Sequence, residues 1–106
     1  MPRKAYEVEL VGRAFDYVLD LDDAPYERTT ATLDLLALSP GIGRLYDPEY
    51  EAMLPPIECR HIVVPRTTVE LFYYVDEPRR AVRVILACDA RSDPRGKFVG
   101  LHVNDL

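Results

Sequence analysis

Three β-rich runs, Ile57–Val64, Val69–Val75 and Ala81–Cys88, follow one another with only four or five residues between them. Spacing that short leaves room for a turn and nothing else, so consecutive runs must pair as antiparallel hairpins. Pro65-Arg66-Thr67-Thr68 and Asp76-Glu77-Pro78-Arg79-Arg80 supply the turns. In the middle run Val69, Leu71, Tyr73 and Val75 alternate with Glu70, Phe72 and Tyr74, so both faces of the sheet carry apolar or aromatic groups. In the third run Val82, Val84, Leu86 and Cys88 alternate with Arg83, Ile85 and Ala87. Residues 57–98 as a whole also deliver Arg60, Arg66, Arg83, Arg91 and Arg95, which makes a charged meander the expected functional part of the chain.

Upstream, Tyr6–Leu10 is rich in strand formers and reads as a short first strand. Val11, Ala14, Phe15, Val18 and Leu21 then recur at helical spacing, with Arg13, Asp16 and Asp20 off the stripe. Asp22-Asp23-Ala24-Pro25 stops that helix and starts another, because Asp caps a helix and Pro is tolerated in its first turn. The second helix runs to about Leu38 with Tyr26, Thr30, Leu33, Leu36 and Ala37 on one face, and Ser39-Pro40-Gly41 ends it. Residues 40–56 are rich in Pro and Gly and leave room for a short helix over Pro48–Met53. Phe98, Val99, Leu101 and Val103 are read as a final edge strand. The expected architecture is a single α+β domain over residues 1–106: an N-terminal strand, a two-helix hairpin, then an antiparallel β-meander, with one sheet face open to a ligand or partner.

Composition narrows the chemistry. At 106 residues and 48% hydrophobic, the chain suffices for one core without metals or disulfides. Its N-terminus lacks the apolar region of a secretory signal and no run of about 18 apolar residues occurs, which reads as a cytoplasmic protein away from membranes. Cys59 and Cys88 fall in no CxxC or Cys/His pattern and read as buried thiols. A net charge of −5 argues against a generally nucleic-acid-binding surface. The charge is uneven, however: residues 1–56 carry −6 and residues 57–97 carry +2, so the meander is locally basic.

The order strand, helix, helix, three strands, the turn Ser39-Pro40-Gly41-Ile42-Gly43-Arg44, the run Ile57-Glu58-Cys59-Arg60-His61, the strand Val69–Val75 leading into Asp76-Glu77, and Ala81 to Pro94 together resemble the RelE/ParE superfamily of type II toxin–antitoxin toxins. The resemblance implies a toxin neutralised by a small antitoxin, with two competing activities: ribosome-dependent mRNA cleavage, or ParE-type inhibition of DNA gyrase. It implies no metal or organic cofactor, and either a homodimer or a toxin–antitoxin hetero-oligomer. For the nuclease it assigns Arg60 and Arg91 to phosphate contact, together with Arg66 and Arg95 as further nucleic-acid contacts.

This sequence departs from that pattern in ways that matter physically. Glu70 stands at a third-strand position that is basic in the nuclease members, Ala90 stands where many relatives carry another basic residue, and the late aromatic Phe98 has no hydroxyl. RNA cleavage by 2′-hydroxyl attack needs a base, cationic stabilisation of the phosphorane and an acid. Glu70 as base, Arg60 and Arg91 as clamp and His61 as acid complete that set, but Arg60 and His61 are consecutive strand residues and point to opposite faces unless a bulge intervenes. A cross-strand Arg60–Glu70 ion pair is the plainer expectation for those two residues. Arg60 and Arg91 in one exposed cavity would favour catalysis. A plugged sheet face would favour a different class of function, a non-catalytic binding module that keeps the toxin fold.

Overall fold

The alternation of Val69–Val75 organises the protein. In the computed structural model, which describes residues 5–47, 55–92 and 97–106, β4 (Val69–Asp76) lies at the centre of a five-stranded sheet ordered β1-β5-β4-β3-β2. It pairs antiparallel with β3 (Arg60–Val63) and with β5 (Ala81–Asp89), as the hairpin spacing predicts. Val69, Leu71, Tyr73 and Val75 face the two helices, while Phe72 and Tyr74 join a second apolar cluster on the other side.

A β-bulge corrects the expected faces of β5. Phe72 pairs with Leu86 but Tyr73 pairs with Val84, which leaves Ile85 as an extra residue. Val82, Val84 and Ala87 therefore lie beneath the helices, whereas Ile85, Leu86 and Cys88 lie on the opposite face. Strict alternation had grouped Leu86 and Cys88 with Val82 and Val84. One inserted residue changes the side on which every later residue of the strand falls.

The helices, α1 (Gly12–Leu19) and α2 (Asp23–Leu38), pack on one sheet face through Ala14 and Val18 of the first and Thr29, Thr32 and Leu36 of the second. The expected stripe is thus rotated: Phe15 and Tyr26 are 50% and 39% exposed. Small and β-branched side chains let the helices sit close to the sheet, so threonines take positions that hydropathy would assign to larger apolar groups. Asp22 precedes α2 as expected, although its side chain makes no capping hydrogen bond.

Two further corrections concern the sheet edges. The first strand, β1 (Glu7–Leu10), pairs in parallel with β5, so the sheet is mixed where an antiparallel one was expected. A residue pattern encodes which face of a strand is buried but not the direction of its neighbour. Within the segment expected to be a loop, β2 (Arg44–Leu45) pairs with β3, aligning Arg44 with His61 and Leu45 with Arg60. The helix expected over Pro48–Met53 lies outside the described residues.

The segment read as a final edge strand is a turn followed by a 3₁₀ helix at Val103–Asp105. The turn contains Gly100 at φ +84°, a conformation that suits glycine. Phe98 and Leu101 are buried against Phe72, Ile85 and Leu86, so the sheet face expected to be open is partly covered by the chain's own C-terminal segment. No described helix is long and apolar enough to cross a membrane.

The turn before β2 is held from beneath. Tyr73 is fully buried; its hydroxyl donates to the Pro40 carbonyl at 2.6 Å and accepts the Gly43 N–H at 2.9 Å. A Cβ on Gly43 would stand 2.5 Å from that hydroxyl oxygen. Gly43→Ala is expected to destabilise the fold by about 1–3 kcal/mol through overpacking, and Tyr73→Phe by a similar amount through the unpaired Gly43 N–H. Because both act on one contact, urea denaturation of the double variant should show a loss clearly smaller than the sum.

Candidate active site on the sheet face opposite the helices

Period-two alternation sends Glu70 and Phe72 of β4 away from the helices, and the β3–β4 register sets His61 opposite Phe72 and Val63 opposite Glu70. His61 and Glu70 are thereby diagonal neighbours on one face. His61 Nδ1 lies 2.9 Å from Glu70 Oε2. The other carboxylate oxygen, Oε1, accepts a hydrogen bond from Lys97 Nζ, also at 2.9 Å. The residue Glu70 is 8% exposed, as is the Lys97 side chain, so this is a salt bridge taken almost out of water.

Aromatic rings frame the charged row. His61 stacks on Phe72 with ring centres 5.8 Å apart, and Tyr46 meets the His61 ring edge-on at 5.2 Å. Phe98 packs edge-on against Phe72, and the Lys97 ammonium stands 5.3 Å from the Phe72 ring centre, a cation–π contact. The enclosure alters the ionisable groups. Burial works against the Lys97 ammonium, but the hydrogen bond to Glu70 and the fields of Cys88, Glu70 and Tyr46 outweigh it and raise its pKa. Burial raises the Tyr46 phenol and the Cys88 thiol above their ordinary values. Cys59, buried on the same face, is pushed up to about 12, chiefly by desolvation and further by Glu58.

These partners define what each group can do. A carboxylate accepts and does not donate, so the proton of the neutral imidazole sits on Nδ1 and Nε2 keeps its lone pair. Glu70 has both oxygens occupied and orients His61; it is poorly placed to take a proton from a substrate. Lys97 holds its proton and neutralises Glu70. His61, with 29% of its side chain exposed, is the member of the row that reaches solvent.

The other residues singled out in the sequence lie elsewhere. Arg60 stands opposite Tyr73, on the helix-facing side of β3, and its guanidinium donates to the Gly43 carbonyl at 2.9 Å. The expected Arg60–Glu70 ion pair does not form, because the register sets these residues on opposite faces. No bulge interrupts the β3–β4 register, so Arg60 and His61 also face apart.

Arg91 is exposed and grips Asp89 with two parallel bonds, Nε to Oδ1 at 3.0 Å and Nη2 to Oδ2 at 2.8 Å. Those bonds hold the Asp89 carboxyl well below the usual carboxylate range. Arg66 occupies the β3–β4 turn at φ +62°, where its carbonyl accepts from Arg28. Arg95 lies outside the described residues. The structure thus joins His61 to Glu70 and leaves Arg60 and Arg91 out of their contact.

Lys97 and Tyr46, which complete the row, were not found by sequence reasoning. Lys97 is 27 residues from Glu70, just before the segment read as an edge strand, and no local pattern connects them. Among the described residues no group of three or more His, Cys, Asp or Glu side chains is placed to hold a metal ion.

Two consequences are measurable. Lys97→Met strips Glu70 of its cation while leaving it buried, an expected loss of about 3–5 kcal/mol in chemical denaturation; Glu70→Gln/Lys97→Met should recover most of it. An unfolded cysteine ionises near pH ~8.5, whereas folded Cys59 keeps its proton to about 12. The unfolded state therefore binds fewer protons across that interval, and stability falls as pH rises, by at most about 1.4 kcal/mol per unit. Stability measured across the alkaline range should fall less steeply in Cys59→Val.

Comparison with known proteins places the fold. The isolated Escherichia coli RelE toxin matches with a TM-score of 0.66 at 23% identity, over 84% of this chain and 88% of that one. The intact E. coli RelBE toxin–antitoxin complex matches with a TM-score of 0.66 at 23% identity, over 83% of this chain and 100% of that one. The archaeal RelE–RelB complex from Pyrococcus horikoshii OT3 matches with a TM-score of 0.62 at 13% identity, covering 84% and 99%. No protein-family model and no curated protein matches by sequence. The chain has the fold of the RelE toxins, as its element order implied.

Proposed function

We propose that this protein, built on the RelE toxin fold, is the toxin of a type II toxin–antitoxin pair and that it cleaves RNA with His61 as its proton-transfer group. The observation that carries this reading is the row Lys97–Glu70–His61: a buried ion pair holds Nδ1 of an imidazole that is itself 29% exposed. A positioned imidazole is suited to remove the 2′-hydroxyl proton as that oxygen attacks phosphorus, and in protonated form to supply a proton to the departing 5′ oxygen. Glu70 then serves as orienting group and stabilises the imidazolium that forms, a role that explains an acidic residue at a position that is basic in the nuclease relatives.

Under this reading the partner is a small cognate antitoxin, as in the E. coli and P. horikoshii RelE complexes with RelB. The substrate is mRNA at the ribosome and the site of action is the cytoplasm. Gyrase inhibition draws no support from these structures, which are RelE toxins. One observation favours a second reading, the non-catalytic binding module: Phe98 and Leu101 cover part of the sheet face.

Tightly controlled expression in a bacterial host separates the two. The native chain is expected to arrest growth, with RNA cleavage detectable in extracts. His61→Ala should lower cleavage by about 10²–10⁴-fold and relieve the arrest at equal soluble level, while Arg60→Ala/Arg91→Ala should keep most of both. Unimpaired growth with abundant folded native protein would leave the binding-module reading in its place.

A further inference from the structure

The proposed nuclease needs a cation at the phosphate, and Arg60 and Arg91 are both engaged away from His61. We infer that Arg44 is that cation, and that Arg44 and His61 together form a seat for a phosphate ester at the β2–β3 edge of the sheet. The inference deepens the proposed function and, as a seat for the scissile phosphate, rests on it.

Register carries the argument. Arg44 and His61 are aligned partners on adjacent antiparallel strands, so their side chains leave the sheet on the same face. Tyr46, two residues further on, confirms the side: its N–H continues the ladder to the Cys59 carbonyl at 2.9 Å and its ring lies against His61. Arg44, Ile42, Gly43, His61, Ile62 and Val63 line a hollow of about 270 Å³. It is a shallow space suited to a phosphate with part of its sugar.

The charges favour an anion there. Arg13 and Arg28 donate to carbonyls of Val99 and Arg66, Arg79 and Arg83 pair with Glu9, and Lys97 is spent on Glu70. Arg44 is exposed and makes no hydrogen bond or ion pair among the described residues, and unlike Arg66 it adjoins His61. Glu70, the acid in contact with His61, is already satisfied by Lys97 and His61. A guanidinium offers two parallel N–H groups to two phosphate oxygens, which leaves His61 Nε2 free for the oxygen that gains or loses a proton.

The test uses the full chain with uridine 3′-monophosphate and, separately, inorganic phosphate, following the His61 ring resonances by NMR. A saturable shift is expected, with affinity about tenfold or more weaker in Arg44→Gln, intermediate in Arg44→Lys, and unchanged in Arg91→Gln. A matching Arg44-dependent shift with inorganic phosphate supports the seat and identifies the phosphate group as the part recognised. No saturable shift with either probe, a shift indifferent to Arg44→Gln, or one weakened as much by Arg91→Gln overturns it.

Growth separates this inference from the reading beneath it. Arrest that persists undiminished in Arg44→Gln overturns the seat and leaves the toxin standing. An Arg44-dependent shift in a chain that arrests nothing supports the anion seat while the toxin reading fails.

Discussion

Glu70 sits almost out of water on the outer face of β4, where Lys97 meets one of its carboxylate oxygens and His61 the other. Removing a carboxylate from water is costly, and only a close cation with well-formed hydrogen bonds offsets the cost. The arrangement does two things at once. It fastens the C-terminal segment across the sheet, where Phe98 and Leu101 bury Phe72 and Leu86, and it sets the tautomer and direction of the imidazole. Stability of the face and readiness of the site therefore share one ion pair.

The two faces of the sheet divide the labour. On the helix side Tyr73 ties the Pro40–Gly43 turn to β4, and Arg60 adds a bond to the Gly43 carbonyl. That turn delivers the chain into β2, whose Arg44 comes into register with His61. The bulge at Ile85 serves the other face by placing Ile85 and Leu86 together beneath Phe98 and Leu101. A residue that looks like a substrate contact in the sequence, Arg60, is on this account a clamp on the turn that presents a different arginine.

Much of the fold was legible because it rests on local rules. Two short turns between three alternating runs force hairpins, and the period of two already implied that Arg60 and His61 face apart. The same rules were blind to pairing direction, so β1 emerged parallel to β5, and to the bulge that transfers Leu86 and Cys88 to the other face. The face of α2 was misjudged because Thr29 and Thr32 are polar by type yet small enough to pack closely. In the site, His61 and Glu70 were visible as residues, whereas their union was obscured by the expected pairing of Glu70 with Arg60.

By itself the sequence determined the meander, the helical hairpin, the alternating faces of β4, and the presence of an imidazole and a carboxylate on neighbouring strands of the sheet. These follow from strand and helix periodicity and from turn chemistry, which act over a few residues. Only the tertiary structure decided that Lys97 returns across 27 positions to neutralise Glu70, that β2 forms and aligns Arg44 with His61, and that Arg60 and Arg91 are taken up by other partners. Such contacts are selected by the desolvation of charges and by the packing of distant segments, terms that depend on which groups meet once the chain has closed on itself.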